Sequence, residues 1–113
     1  MTQTPLLPAI GKLRHRVTLE TPARTSDGAG GSTETWTPVA ELFAFMRAIR
    51  GDERTAFDRI TGHVSHEFYL RAHPGLAPKM RFRLGIRRFH IHAVLIADEH
   101  GRRMRCLCEE RDL

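Results

Sequence analysis

Residues 13–21 read LRHRVTLET and alternate apolar with polar or charged side chains. In an extended chain this alternation places Leu13, Val17 and Leu19 on one face and the two arginines of the stretch on the other. The period is two residues rather than 3.6. The stretch therefore predicts a β-strand with one buried face.

A second strand is predicted over residues 33–50. The residues between the two strands, PARTSDGAGGS at 22–32, are rich in Gly, Ser and Pro, so we expect a mobile loop that is too long for a tight hairpin. Pro38 has no amide hydrogen to donate to a neighbouring strand, which predicts a bulge or a sheet edge at that point. The apolar run LFAFM at 42–46 fits either a buried strand or a short helix, and its flanks favour the strand.

Four more strands are predicted downstream, over residues 64–71, 79–84, 87–96 and 102–110. Residues 51–62 interrupt the β pattern between strands two and three, and they are bracketed by glycines. We expect a long loop or a short helix there. About six short strands with charged turns predict an all-β barrel or sandwich, with Phe82 and Phe89 in its core.

The composition favours one small domain with a cationic surface. The 113 residues carry a formal net charge of +5, and sixteen arginines outnumber two lysines. Guanidinium groups suit bidentate contacts with carboxylates or phosphates, so this bias fits a protein interface or nucleic acid, although a GC-rich genome gives the same bias. No stretch approaches the roughly 20 apolar residues of a membrane span, and we expect synthesis in a bacterial cytoplasm.

A zinc site at the C-terminal hairpin is the most specific metal hypothesis. His90 and His92 lie on one strand, and Cys106 and Cys108 lie on the next. If a four-residue turn pairs Ala97 with Arg102, Ala93 faces Cys106 and Ile91 faces Cys108. The cysteines then join an apolar face with Phe89, Ile91, Ala93, Leu95 and Met104, while the histidines take the opposite face. We therefore expect reduced core thiols and no metal site.

The remaining polar residues do not predict catalysis. Ser65 is expected to point away from His66 on a strand, and His63 and His73 have no nucleophile in a recognisable turn. Asp52, Glu53 and Asp58 fit a helix start better than an acid–base cluster. The sequence contains no phosphate-binding glycine motif. We expect neither an enzyme nor a bound cofactor.

The order of these segments resembles the phage head-tail joining proteins, the small head-closure or stopper proteins. The likeness begins with LRHRVTLE at 13–20, DGAGG at 27–31, TW at 35–36 and VAELFA at 39–44. It continues through RGDE at 50–53, the strand ending at Leu70-Arg71, and FHIHAV at 89–94 followed by Asp98. No single motif is specific, but the ordered set is.

This resemblance implies a β-barrel that forms a homo-oligomeric ring of six or twelve copies around the DNA channel of a tailed phage or gene transfer particle. The ring would lie at the virion neck, between portal or adaptor proteins and the tail terminator or tail tube. It would close the head after packaging and dock the tail. Residues 13–113 would form the single barrel domain, and residues 1–12, with two prolines, an extended N-terminal arm.

The resemblance also implies a loop that projects into the channel and retains double-stranded DNA. This loop maps to a charged segment containing Arg50, Asp52, Glu53, Arg54, Phe57, Asp58 and Arg59. The three arginines would lie nearest the DNA, unless they pair instead with the acidic residues of the same segment.

A candidate ring interface lies on the last two strands, where His90, His92, Arg103 and Arg105 share a mixed apolar and charged face. A solvated outer face fits the same composition. Two alternative functions stay open. One is a small basic β-barrel that binds nucleic acid, and the other is the neighbouring tail terminator.

Overall fold

The computed structural model describes residues 14–49, 51 and 63–112. Its six strands are β1 His15–Ser26, β2 Ser32–Ala48, β3 His66–Arg71, β4 Arg81–Leu84, β5 Arg87–Ile96 and β6 Arg103–Arg111. All neighbours pair antiparallel, in the order β1-β2-β3-β6-β5-β4, and β4 pairs back with β1 to close the barrel. The predicted all-β barrel of about six strands is confirmed.

The barrel interior is filled by the apolar members of each alternating strand. Val17 and Leu19 of β1 are fully buried, as are the two cysteines of β6. Phe68 stacks on Phe82 with ring centroids 4.8 Å apart. The predicted core positions of Phe82 and Phe89 are confirmed. Period-two alternation therefore sets the inward face of the barrel strands.

The predicted mobile loop at residues 22–32 is wrong. Both strands continue outward in register to the pair Ser26 and Ser32, so only Asp27–Gly31 connect them. Gly28 and Gly30 have φ of +78° and +86° there, a backbone conformation that glycine adopts without a Cβ clash. We call residues 21–37 the hairpin arm. Most of its side chains are exposed on both faces, which is why apolar alternation did not reveal it.

The arm leaves the barrel at a β-bulge. Leu19 pairs with Ala40 but Glu20 pairs with Pro38, so Val39 is the extra residue. The bulge predicted at Pro38 is confirmed. β1 pairs with β4 only from Thr18 to Glu20. Beyond that point, β2 is the only strand that pairs with β1 among the described residues.

A second bulge corrects the predicted register of the C-terminal hairpin. Ile91 faces Cys108 as expected, but Val94 rather than Ala93 faces Cys106, because His92 is the extra residue. At the turn, the Ala97 amide donates to the Arg103 carbonyl instead of pairing with Arg102. After the bulge the faces exchange, so Leu95 is exposed and Ala93 packs outside the core with Leu107.

The two ends of the connection between β2 and β3 lie next to each other on the barrel. The Ile49 amide donates to the Ser65 carbonyl at 2.9 Å, and Ile49, Val64 and Leu107 form a small apolar cluster on the outer face. The described part of the chain contains no helix of the length and apolarity needed to cross a membrane.

Candidate functional site

The segment predicted to form the channel loop lies almost entirely outside the described residues. Arg50, Asp52, Glu53, Arg54, Phe57, Asp58 and Arg59 all fall there, as do the N-terminal residues 1–13. The structure does describe the two ends of the segment, which the Ile49–Ser65 hydrogen bond holds together. The predicted loop therefore starts from a fixed base on the barrel.

Of the residues predicted to form a ring interface, His90 and His92 lie together on β5. The His90 ring meets Trp36 of the hairpin arm edge-on, with centroids 5.3 Å apart. His92, at the bulge, has its Nε2 2.9 Å from Glu109 Oε1. Glu109 also accepts from Arg111. Partial burial acts to raise the pKa of the Glu109 carboxyl, but the contacts with Arg111 and His92 together outweigh it, so the pKa is lowered.

Arg103 and Arg105 form a second group farther along the barrel. Arg105 faces Leu95, whereas His90 faces Glu109 and His92 lies at the bulge opposite Cys108 and Leu107. Arg105 is therefore roughly 13 Å of strand from His90, and closer to His92. Arg105 Nε donates to Glu67 Oε2 at 2.5 Å, and Arg47 Nε donates to the other oxygen at 2.6 Å. Glu67 has no exposed surface. The structure thus places the four predicted residues in two groups along the β5–β6 hairpin.

The hypothetical zinc ligands are separated by the barrel wall. Cys106 and Cys108 are free, fully buried thiols in the apolar core. Burial raises the pKa of Cys106 to about 12 and that of Cys108 well above its usual value. The histidines contact Trp36 and Glu109 instead.

Ser65 and His66 form a contact that the alternation pattern excluded. Ser65 Oγ lies 2.9 Å from His66 Nδ1, so the expectation that the two side chains diverge is wrong. Ser65 precedes β3 and need not alternate with it. Its hydroxyl also accepts the Glu110 amide at 2.8 Å, and the pair ties the start of β3 to the end of β6.

A cleft of about 650 Å³ separates the hairpin arm from the barrel. Its floor adjoins a buried ion pair, in which Arg81 Nε donates to Glu20 Oε1 at 2.7 Å. The Arg81 guanidinium lies 4.1 Å from the centroid of the Trp36 ring, a cation–π contact. The cleft is lined by Pro22, Arg24, Glu34, Trp36, Pro78, Lys79, Met80, His90, Ile91, His92 and Arg111.

Sequence reasoning found the two histidines of the cleft but missed Trp36, Arg81 and Lys79. These residues come from two segments, residue 36 and residues 79–81, which no local pattern connects. The only advance signal was the single tryptophan beside Pro38.

An exposed apolar face marks the base of the arm. Val39 is 50% exposed and Phe43 is 58% exposed. Between them Glu41 pairs with Arg16 of β1 at 2.5 Å. Large exposed apolar side chains grouped on one strand are typical of protein contact surfaces.

A family model of the phage head completion protein matches residues 8–111. The chain belongs to the phage head completion protein family. The chain is similar in fold to the solution structure of protein SF1141 from Shigella flexneri 2a. The TM-score is 0.70 and the identity 24%, over 89% of this chain and 95% of that one.

The chain is also similar to a chain in the virion of a native gene transfer agent particle. The TM-score is 0.59 and the identity 28%, over 97% of this chain and all of that one. No curated protein matches the sequence. The family and this second structure make the chain a structural protein of the phage head-tail region and a virion component.

Proposed function

We propose that this protein forms a ring at the virion neck that closes the head after DNA packaging and provides the surface on which the tail docks. The match of the family model to residues 8–111 carries the proposal. Its neighbours in the neck would be adaptor or portal proteins on the head side and tail terminator or tail tube proteins on the other. Its role would be mechanical and not enzymatic.

Ring assembly requires two different surfaces on each subunit, because neighbours around a closed ring meet through heterologous contacts. The predicted interface residues form two groups on the β5–β6 hairpin, which is compatible with this requirement. His90 and His92 lie by the cleft, whereas Arg105 lies roughly 13 Å from His90 along β6. Each group would therefore contact a different neighbour.

DNA retention would depend on the segment between Ile49 and Val64. Its base is anchored by a backbone hydrogen bond and an apolar cluster. We therefore expect the barrel to stay folded when residues within the segment are changed. Arg50, Arg54 and Arg59 would face phosphate in the channel, and each neutralised phosphate would add roughly 0.9 to the salt slope of DNA binding.

The test is electron microscopy of particles made without this gene, combined with nuclease digestion of their DNA. We expect full-sized heads that lack tails and leave their DNA open to digestion. Normal tailed particles with protected DNA would refute the neck role and favour a nucleic-acid-binding barrel.

The channel loop is tested separately by deleting Thr55–Asp58. Because the ends of the segment are anchored to the barrel, we expect the variant to fold and to enter particles. Those particles should release their DNA. Particles that carry the deletion and still protect their DNA would refute the loop assignment while leaving the neck role intact.

A further inference from the structure

The cleft between the hairpin arm and the barrel has a cationic rim over an apolar wall. Arg24 projects from the arm and Lys79 from the turn before β4, and neither forms an ion pair with a described residue. Both are exposed. Glu34, opposite Arg24 in the ladder, is the one carboxylate among the lining residues. Arg111 is already occupied by Glu109.

Lys79 is held in a backbone conformation that a lysine rarely adopts. Its φ is +83°, and it is the one described non-glycine residue with a positive φ. Such a conformation is strained for an L-residue and persists where the surroundings impose it. Two hydrogen bonds to Ile91 hold the turn in place. The Lys79 amide donates to the Ile91 carbonyl, and the Ile91 amide donates to the Met80 carbonyl. Glycine would relieve the strain but would remove the cation.

The cleft also begins where a β-ladder stops. Glu20 pairs with Arg81 in the last step between β1 and β4. Beyond this step, Pro22 of the arm and Lys79 and Met80 of the turn line the cleft instead. An extended segment placed there would lie beside a strand that has no partner on that side among the described residues. Strand addition of this kind is a common way to bind peptides.

We propose that this cleft binds an extended, carboxylate-rich segment of a neighbouring structural protein of the particle. Arg24 and Lys79 would contact its carboxylates, and Trp36, Pro78 and Met80 would contact its apolar side chains. A DNA duplex fits less well, because the Glu34 carboxylate lines the cleft and would repel phosphate, and because the apolar wall offers no hydrogen-bond donors to a phosphate backbone. Only the source of the segment rests on the proposed neck role.

Trp36 reports on occupancy directly, because it lines the cleft and is the only tryptophan of the chain. Purified protein is titrated with a short blocked peptide of alternating Glu and Thr, with the matching Gln–Thr peptide, and with a short DNA duplex. We expect only the Glu peptide to change the Trp36 emission, and we expect added salt to weaken its binding. A response to the duplex alone, an equal response to both peptides, or no response would each overturn the proposal.

Two variants test the cations. Lys79→Gly and Arg24→Gln should each weaken peptide binding about two- to five-fold, the range of an exposed ion pair. Lys79→Gly should unfold at the same or a higher temperature than the parent, which separates lost binding from lost folding. Arg71→Gln is the control, because it removes an exposed arginine at the far end of β3. Equal weakening by Arg71→Gln would show a net-charge effect and would refute a defined site.

The titration uses the isolated protein, so its outcome does not depend on the neck role. Tailed, DNA-protecting particles from the deletion strain together with specific peptide binding would refute the neck role alone. Heads that leak DNA, together with no peptide binding, would refute only the proposal that the cleft binds an acidic segment.

Discussion

Glu67 is a buried carboxylate on the outer face of the barrel, shared between Arg47 and Arg105. The two guanidinium groups keep part of their surface in water, whereas the carboxylate has none. We expect Glu67→Gln to lower the free energy of unfolding by about 2 kcal/mol, because two charge-assisted hydrogen bonds are lost and two like charges remain adjacent. Urea denaturation measures the change.

The control for this prediction is Glu41→Gln, which removes a carboxylate from the exposed pair with Arg16. Solvent screens that pair, so the expected loss is below about 1 kcal/mol. Equal effects of the two substitutions would contradict the distinction between a buried and an exposed carboxylate.

Cys106 and Cys108 should resist alkylation in the native protein. Burial raises the pKa of both thiols, that of Cys106 to about 12, and the thiolate is the reactive form. With iodoacetamide at pH 8, mass spectrometry should detect both modifications only after denaturant is added. Rapid native modification would show that the barrel opens locally at β6.

The same burial predicts a loss of stability in alkali. An unfolded thiol ionises near pH 9, and the folded Cys106 near 12. As the pH rises above about 9, the unfolded state loses protons first and is favoured. The contribution of the thiols to stability should therefore be constant below that pH and fall above it, and replacing both cysteines by alanine should reduce the slope of the loss in alkali.

At the scale of elements, the hairpin arm is separable from the barrel. Its outer residues, Ala23–Thr35, are exposed. We expect a variant in which Asn-Gly joins Pro22 directly to Trp36 to unfold cooperatively, with stability within about 1 kcal/mol of the parent. Thermal denaturation followed by circular dichroism tests this. Loss of the cooperative transition would mean that the arm supports the core.

The strands were predictable where one face is buried and the other is not. Val17 and Leu19 of β1 and Phe89 and Ile91 of β5 follow that pattern, and it placed them in the core. Glu20 was expected on the solvent side and is buried instead. The arm was missed because a strand that is exposed on both faces has no apolar period, and its Pro, Gly and Ser content is typical of a loop. The register of β5 and β6 failed at His92 because a bulge leaves no periodic signal.

At the scale of the molecule, the barrel architecture followed from the sequence, but the cleft did not. Trp36, Lys79 and His90 line the same cleft only because β4 and β5 lie beside the base of the arm. That juxtaposition depends on the length of the β1–β4 ladder and on the bulge at Val39. The positive φ of Lys79 likewise follows from its contacts with β5. Long-range closure, rather than local pattern, creates this site.

Closure of the barrel depends on its shortest seam. β1 and β4 are joined by three residue pairs, from Thr18–Arg83 to Glu20–Arg81. The seam is strengthened by the buried Glu20 carboxylate, which binds Arg81 and lies 3.4 Å from Arg83 Nε. Removing that charge should weaken this seam before any other.

We expect Glu20→Gln to lower the local opening free energy of β4 by roughly 2 kcal/mol, because a charge-assisted bond to a buried arginine is lost. Native-state hydrogen exchange should then show faster exchange at the β4 amides, with β6 still protected. Glu110→Gln, which removes a carboxylate from the exposed pair with Arg87, should leave β4 unchanged. Equal acceleration at every strand of the Glu20 variant would show that the barrel opens only as a unit, and the seam would then have no independent motion.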